Sequence, residues 1–356
     1  MAKLKPIHYC LILNFTGLFF LATSSVTESQ NLFGHPYFFI VRQILWSTTG
    51  LIAFLLLQKL KPKVATWLIT QAYVVLLVFL GLTVFSSLSD SILGAKRWLN
   101  LFNLSLQPSE LIKLPSIVFF VHLFTSKKPL SPLKFLLHLS LPILLILLQP
   151  NLSTAILLSL ILLSLYYLCH PNLTSIFILI LLFATASSAL IISSPYRLKR
   201  LQSLIQFQQN TPEIGYHNRQ LISAIKRGGL FGVGLGMSES RHNFLPKIST
   251  DSIFALIIEE TGLAGLTFVI CLYLLLINSL QPRHHSPRDF RLELIASAIS
   301  VWIGFQTAIH LASSAALIPI TGIPLPFVSY GGSSMLSLYI AIGYLERLKQ
   351  TSKHDS

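Results

Sequence analysis

Long apolar runs recur along the whole chain and constrain its fold more than any other feature. Each run covers about 20 residues, the length that an α-helix needs to cross the hydrocarbon core of a bilayer. Of the 356 residues, 53% are hydrophobic and 11% are charged, a composition typical of a membrane-spanning bundle. Because backbone polar groups find no water inside a bilayer, the runs predict helices. They are too uniformly apolar for the alternating strands of an outer-membrane barrel.

The runs predict an all-α polytopic membrane protein with ten transmembrane helices, forming a single domain over residues 1–356. The first run ends near Ala22-Thr23-Ser24, which loosely matches a signal-peptide cleavage site. Its length nevertheless favours a retained helix. The predicted spans are 8–27, 39–58, 64–87, 106–125, 134–149, 154–169, 173–193, 252–279, 292–317 and 333–347.

The basic residues predict the orientation of the spans. Lys and Arg occupy both ends of the chain and alternate connections, whereas the connections 28–38, 149–153 and 318–332 contain neither. Lys and Arg concentrate on the cytoplasmic side of membrane proteins, so both termini are expected in the cytoplasm. The residues behind this orientation are Lys3, Lys5, Lys59, Lys61, Lys63, Lys127, Lys128, Lys134, Arg283, Arg288, Arg291, Arg347, Lys349 and Lys353.

One connection is much longer than the others. Residues 194–251, between predicted helices 7 and 8, form a large extracytoplasmic loop with eight basic and three acidic residues. Long loops cross the membrane largely regardless of charge. The basic excess therefore predicts either a solvated charged surface or a site for an anionic ligand, such as a phosphate carried on a lipid. Net charge is +14; the membrane topology explains most of it without a nucleic-acid partner, but not the excess in this loop.

Polar residues at the outer end of predicted span four form a first candidate site. Pro108 suits a helix start, and Glu110 then falls in the first turn. Glu110 and Lys113 are spaced i, i+3 and share a helix face. Ionisable residues in a span usually face the protein interior or a wet cavity and are functional. With Arg97, they place two cations near the outer leaflet.

A second candidate site lies in "FLPKISTDSIFALIIEETGLAG", residues 244–265. Thr250 or Asp251 can cap the free N–H groups at the start of span eight. Asp251 can equally serve as a base, since burial raises a carboxylate's pKa toward a base's working range. Glu259 and Glu260 lie too deep to cap the helix, and one of them is expected to pair with a basic residue.

Three further segments predict irregular backbone. "LLQPNLST" (147–154) interrupts an apolar stretch with Pro and Asn. "GGLFGVGLGMS" (228–238) lacks the spacing of a P-loop and predicts a compact turn, with a phosphate nest as the alternative. "TGIPLPFVSYGGSS" (321–334) predicts a rigid re-entrant turn or a wall of an outer cavity. The cysteines Cys10, Cys169 and Cys271 are isolated, so neither disulfides nor a zinc site is predicted.

Five motifs in order resemble the SEDS family (shape, elongation, division and sporulation), which includes FtsW and RodA. They are "GAKRWL…QPSELIK", "QPNLSTA", "GYHNRQLISAIKRGGLFGVGLGMS", "LPKISTDSIFALIIEETGLAG" and "LPFVSYGGSS". Within the family, "FGHPYFFIVRQ" and "YRLKRLQSL" look more like FtsW, whereas "TGIPLPFVSYGGSS" is close to RodA; the resemblance favours FtsW.

The resemblance implies a fold, an activity and partners. The fold is a ten-helix protein of the bacterial cytoplasmic (inner) membrane. The activity is polymerisation of lipid II into glycan strands on the outer face, in cell division or in elongation. The implied partners are a class B penicillin-binding protein that crosslinks the strands and other divisome or elongasome membrane proteins. A lipid II flippase is the alternative from a different class, since ten spans with intramembrane charges also suit transport.

The resemblance also implies site residues. The family's essential aspartate maps onto Asp251, to which we assign the role of the base. The candidate substrate-binding residues are Arg97, Glu110, Lys113, Arg200, Arg219 and Gln220. No redox cofactor is expected, and a divalent cation (Mg or Mn) is a possible companion of the substrate diphosphate. The sequence departs from the family's motifs at Asn151, His217, Lys247 and Ser252.

Overall fold

The apolar runs fold as helices. A computed structural model describes residues 4–85, 89–92, 95–101, 104–126, 130–170, 172–192, 198, 202, 216–239, 249–282 and 290–352. Helical structure occupies each of the ten predicted intervals. The helices are α1 (Pro6–Ser24), α2 (Val26–Phe33), α3 (Phe38–Lys59), α4 (Pro62–Phe85), α5 (Pro108–Leu111), α6 (Lys113–Phe124), α7 (Pro132–Leu148), α8 (Leu152–Cys169), α9 (Leu173–Ile192), α10 (Tyr216–Gly228), α11 (Ile253–Leu280), α12 (Phe290–Ser314) and α13 (Gly332–Ser352).

Six of these helices are long and apolar enough to cross a membrane: α1, α3, α4, α8, α11 and α12. Helices α6 and α7 are apolar but shorter. Large apolar side chains project outward from the helices, among them Val74, Val78, Leu144 and Leu274. A protein surrounded by water rarely exposes so much contiguous apolar surface. The chain is therefore a multi-pass membrane protein.

Local sequence signals explain where several helices begin. Proline is the first residue of α1, α4, α5 and α7, a position where its missing N–H costs nothing. The side chains of Ser131 and Asn151 cap α7 and α8 by accepting the backbone N–H of Lys134 and Thr154.

Predicted span four is broken into two helices. Helix α5 ends at Leu111, and α6 begins at Lys113. Pro115 explains the break, because its ring lacks an N–H and clashes with the carbonyl four residues earlier, that of Leu111. The two buried ionisable residues of this region flank the break: Glu110 lies in α5, and Lys113 is the first residue of α6.

The all-α prediction is wrong in one place. Three short strands, β1 (Ser89–Ile92), β2 (Ala95–Leu101) and β3 (Leu104–Leu106), follow α4 and form an antiparallel sheet in the order β1-β2-β3. Leu99 pairs with Ser89 on one side and with Leu106 on the other. The strands are too short to stand out from the apolar runs beside them. This sheet positions Arg97, which lies on β2.

Two predicted connections contain helices. The short connection 28–38 begins within α2, which ends at Gly34 in the left-handed conformation that glycine adopts readily. The long connection 194–251 contains α10, whose sequence "YHNRQLISAIKRG" is polar and amphipathic.

The chain divides into two compact units that are interleaved in sequence. The first comprises Met1–Leu45, Phe183–Asn278 and Gln306–Gly331. The second comprises Trp46–Leu182, Ser279–Phe305 and Gly332–Ser356. The prediction of a single domain over 1–356 stays a prediction.

Candidate functional site

Asp251 lies in a turn immediately before α11, in the first unit. The residue is buried, with 9% of its surface exposed. Its backbone carbonyl accepts a hydrogen bond from the Ser314 hydroxyl at 3.4 Å. Within the described residues no salt bridge engages its carboxylate. Asp251 therefore lies against α12 without a cation committed to it from the described part of the chain.

Helix α11 begins at Ile253, immediately after Ser252. The Ser252 carbonyl accepts the Leu256 N–H at 3.2 Å. Capping of this helix by the Thr250 or Asp251 side chain stays a prediction. The Ser252 side chain is fully buried, where a larger side chain would have to displace its neighbours.

Two distant segments hold this turn in place. The Glu28 carboxylate on α2 accepts the Ser249 N–H at 3.1 Å. The Ser249 carbonyl accepts the Tyr330 N–H at 3.0 Å. The contact of Glu28 with Ser249 links residues 221 positions apart. These bonds fix the backbone two residues before Asp251.

His310 is a neighbour of Asp251 that the sequence reasoning missed. It lies one turn before Ser314 on α12, is 2% exposed, and interacts electrostatically with Asp251. Its Nδ1 lies 2.9 Å from the Ile323 carbonyl, and because a carbonyl only accepts, Nδ1 carries the proton. Among the described residues, Nε2 has no hydrogen-bond partner. An ionisable residue inside an apolar run was the signal that could have identified it.

The irregular segment 315–331 supports His310 from the other side. Its carbonyls are satisfied by buried side chains: Gln306 donates to Pro324 at 2.8 Å, and Tyr273 donates to Pro326 at 2.6 Å. Gln43 spans the end of the segment, donating to Ser329 and accepting from Gly331. Non-helical backbone at membrane depth is tolerated where protein covers it in this way. These contacts support the predicted rigid turn.

A second polar cluster lies in the second unit. Lys113 Nζ is 2.8 Å from Glu110 Oε1, and both side chains are buried, which confirms their expected contact across one helix turn. Lys113 Nζ also lies 5.4 Å from the centre of the Trp302 ring, within cation–π range. Among the residues that the structure describes, Glu110 Oε2 has no hydrogen-bond partner.

Arg97 stabilises the break between α7 and α8. Its Nε donates to the Gln149 carbonyl at 3.1 Å, and its Nη2 donates to the Pro150 carbonyl. Gln149 in turn donates to the Leu80 carbonyl at 3.3 Å. Because carbonyls are neutral, these two contacts do not neutralise the charge of the Arg97 guanidinium.

Asn151, a departure from the family's motif, has a structural role. Its side-chain oxygen caps α8, and its Nδ2 donates to the Ser109 hydroxyl at 3.3 Å. An amide donates and accepts at once, whereas an ionised carboxylate only accepts. Asn151 thereby connects the start of α8 to α5, one residue before Glu110.

The remaining predicted substrate contacts are distributed unevenly. Arg219 and Gln220 lie on α10 in the first unit, both partly exposed, and Arg219 has an interaction partner. Arg200, His217 (its side chain) and Lys247 lie outside the described residues. Asp251, Arg219 and Gln220 thus share the first unit, whereas Arg97, Glu110 and Lys113 share the second.

The contacts of Glu259 and Glu260 explain why two carboxylates lie deep in α11: they bind the glycine-rich loop (residues 229–238) and Arg227 just before it. Glu259 Oε1 accepts Arg227 Nε at 2.7 Å, which confirms the predicted pairing with a basic residue, and its Oε2 accepts the Ser238 hydroxyl at 2.5 Å. Glu260 Oε2 accepts the Gly236 N–H at 3.2 Å. Both carboxylates are fully buried and act as anchors for the loop.

The loop occupies an interruption of α11. Gly262 has φ 66° and ψ −160°, which breaks the helix. The Leu263 N–H donates to the Gly229 carbonyl at 3.1 Å, and the Glu259 carbonyl accepts the Val233 N–H at 2.9 Å. Likewise, the Ala264 N–H donates to the Leu230 carbonyl, and the Glu260 carbonyl accepts the Gly234 N–H. Loop donors are therefore used by the chain itself, which favours the compact turn over a phosphate nest.

Among the described residues, no group of three or more His, Cys, Asp or Glu side chains could hold a metal ion. We therefore derive no step through a metal.

Three comparisons relate the chain to known proteins. The sequence model of a family described as cell cycle proteins, FtsW, RodA and SpoVE, matches residues 4–354. A probable peptidoglycan glycosyltransferase FtsW of Coxiella burnetii is 33% identical over 343 residues, covering 93% of this chain and 92% of that protein.

The fold also matches solved structures. A chain of a peptidoglycan synthase complex, studied for the coordination of polymerization and crosslinking, superposes with a TM-score of 0.76 at 20% identity, covering 97% of both chains. The rod shape determining protein RodA of Thermus thermophilus superposes with a TM-score of 0.69 at 22% identity, covering 97% of this chain and 95% of that one. At this identity the likeness establishes the fold.

Proposed function

This chain belongs to the family of FtsW, RodA and SpoVE cell cycle proteins, and on that premise we propose that it is a peptidoglycan glycosyltransferase. It polymerises lipid II into glycan strands on the outer face of the cytoplasmic membrane. The relative named as an FtsW supports a role in cell division rather than in elongation.

The observation that carries the proposal is the setting of Asp251. Its carboxylate is buried at the start of a membrane-spanning helix, in a turn anchored by Glu28, Ser314 and Tyr330. A base must be held in a fixed position to remove a proton efficiently from a bound hydroxyl.

The reaction that we propose is a displacement at the anomeric carbon of the donor. Asp251 takes the proton of the acceptor's 4-hydroxyl as that oxygen bonds to the donor sugar. The bond between the sugar and the diphosphate breaks, and its electron pair leaves with the diphosphate. His310 interacts electrostatically with Asp251, and through this charge interaction it helps to hold the carboxylate in position.

The departing diphosphate needs positive charge. Arg97 is one candidate of the second unit, and its guanidinium donates to the Gln149 and Pro150 carbonyls. The charge of Lys113 is offset by Glu110. Glu110 Oε2, which has no hydrogen-bond partner within the described part of the chain, is an acceptor suited to a substrate hydroxyl. Arg200, Arg219 and Gln220 complete the proposed substrate contacts. A Mg or Mn ion carried by the diphosphate stays part of the proposal.

We propose the topology that the basic residues predict. The ten helical segments would each cross the membrane, with both termini in the cytoplasm and the connection 194–251 outside. The six long apolar helices support this proposal. The shorter α5–α6 and α7–α8 segments are then the broken crossings, and their breaks are covered by Asn151 and Arg97.

The proposed partners are lipid II, a class B penicillin-binding protein and other divisome membrane proteins, with elongasome proteins in their place if the role is elongation. The fold match to a chain of a peptidoglycan synthase complex supports the second of these. Co-purification of a penicillin-binding protein with the tagged chain would test it.

The experiment that tests the activity uses purified protein in detergent with lipid II. The wild type should form glycan polymer, alone or with the co-purified partner, and Asp251→Asn should not. Glu239→Gln is the matched control, since it makes the same carboxylate-to-amide change at an exposed side chain. Polymer from Asp251→Asn at the wild-type rate would exclude Asp251 as the base. Lipid II transport without any polymer would favour the flippase alternative.

A further inference from the structure

We propose that the glycine-rich loop lies inside the bilayer, where its outward side chains contact lipid acyl chains. The occupant of this surface is thus a phospholipid leaflet, the one that contains the start of α11. The inference does not depend on the proposed enzymatic activity.

The first argument is the depth at which the loop is attached. It binds α11 between Glu259 and Ala264. Glu259 and Glu260, which precede the break at Gly262, lie roughly 9 to 11 Å along the helix axis from Ile253 at 1.5 Å per residue. The hydrocarbon core is about 30 Å thick. A loop fixed at this level of a spanning helix reaches the hydrocarbon of one leaflet.

The second argument is the chemistry of the surface that the loop exposes. Leu230, Phe231, Leu235 and Met237 are all exposed, Phe231 by 84% and Met237 by 73%. No charged residue occurs between Gly229 and Ser238. In water, such a cluster of large apolar side chains would be unfavourable and prone to association.

The third argument is continuity with the spanning helix. The Leu263 N–H is bonded to the loop, and the Leu263 side chain is itself exposed, as is Phe268 further along α11. These side chains lie on a helix that is long and apolar enough to span a membrane. The loop therefore extends an apolar surface that already faces lipid.

The fourth argument is that half of the loop's ten backbone N–H groups have protein partners. Five of its N–H groups, those of Gly232, Val233, Gly234, Gly236 and Met237, donate to carbonyls or to Glu260 Oε2. Inside a bilayer, every unpaired backbone group costs several kcal/mol. The interruption at Gly262 also frees groups on α11 that need partners there, and the loop supplies them.

The polar contacts of the loop lie toward the protein and at the point where the loop leaves α10. There Arg227 forms an ion pair with the buried Glu259. Lys226, one residue earlier on α10, is exposed. The arrangement predicts that the chain passes from the aqueous interface at Lys226 into lipid at Phe231.

Site-specific fluorescence tests this inference. Phe231→Cys is labelled with a polarity-sensitive fluorophore in full-length protein whose native cysteines Cys10, Cys169 and Cys271 are replaced, then reconstituted in phosphatidylcholine–phosphatidylglycerol vesicles. We expect blue-shifted emission that lipids brominated on their acyl chains quench and aqueous iodide does not. Lys226→Cys is the matched control and should be quenched by iodide.

A second position keeps the test decisive. If the Phe231 variant fails to fold, Met237→Cys should give the same result, because its side chain is similarly exposed. Iodide quenching at the loop position, without quenching by brominated lipid, would overturn the proposal. Protection from both quenchers would mean that protein covers the loop, and this too would overturn it.

Discussion

Leu263 and Glu259 do not complete a regular helix turn: the Leu263 N–H binds Gly229, and the Glu259 carbonyl binds Val233. In an unbroken α-helix, an N–H at position i binds the carbonyl at i−4, so these two groups would be partners. The glycine-rich loop is inserted at the interruption and takes both bonds. Gly262, between them, permits the insertion through its positive φ.

Gly262→Ala should therefore destabilise the protein. At φ 66° and ψ −160°, Gly262 occupies a backbone region that essentially only glycine adopts, and a residue with a Cβ there costs about 1–3 kcal/mol. That Cβ would also overlap the Leu230 backbone. The midpoint of thermal unfolding in detergent should fall. Gly81→Ala on α4 is the control: a Cβ there meets nothing within 4 Å, so it should be neutral or stabilising by up to ~1 kcal/mol. Equal midpoints for both variants would contradict the inserted-loop geometry.

Replacing one member of the buried Glu110–Lys113 pair should destabilise the protein more than replacing both. Lys113→Met or Glu110→Leu alone leaves an uncompensated buried charge, at a cost of about 3–5 kcal/mol. The double variant should lose less stability than either single one. A double-mutant cycle on unfolding midpoints measures this difference. Strictly additive losses would indicate that the two side chains do not interact.

Removing the Glu28 anchor should impair polymerisation without unfolding the chain. Glu28→Ala loses the hydrogen bond to Ser249, worth about 1.5–3 kcal/mol for a charged acceptor. A displaced Asp251 should then slow glycan synthesis by roughly tenfold to a hundredfold. Glu28→Gln retains an acceptor oxygen and should keep most of the rate. Wild-type turnover by the alanine variant would exclude a positioning role.

Two substitutions of His310 should separate stability from activity. His310→Asn can still donate to the Ile323 carbonyl, whereas His310→Phe cannot and should lose about 1–3 kcal/mol of stability. Both remove the imidazole that interacts electrostatically with Asp251, so both should slow polymerisation. Unfolding midpoints and lipid II turnover measured side by side make this comparison. Full turnover by a folded asparagine variant would show that the imidazole does not act on Asp251.

Arg97 should respond to substitution in two ways. Arg97→Gln and Arg97→Lys both lose the paired contact with the Gln149 and Pro150 carbonyls, so both should lower the unfolding midpoint. Only the glutamine variant also loses the charge, and it should show the larger increase in KM for lipid II. Identical KM values for both variants would confine Arg97 to a structural role.

Much of the helical architecture was predictable from sequence, for a local reason. The lengths of the apolar runs, Pro62 and Pro132 at helix starts, and the i, i+3 contact of Glu110 with Lys113 all depend on residues within a turn or two of each other. Such features are set by hydrophobic length and helix geometry.

The corrections arise where local signals compete. The strands β1–β3 are too short for their alternation to be visible beside apolar runs, and Pro115 breaks a span whose overall hydropathy is uninterrupted.

The sequence by itself determined that this chain enters a membrane as apolar helices, and that Asp251 precedes one of them. Only the tertiary structure decided what Asp251 touches: Glu28 anchors its turn from 221 positions away, and His310 and Ser314 lie beside it from α12. Tertiary packing likewise selected Arg227 as the partner of Glu259. Contacts between distant segments depend on how helices pack, and packing is a property of the whole chain that no local spacing encodes.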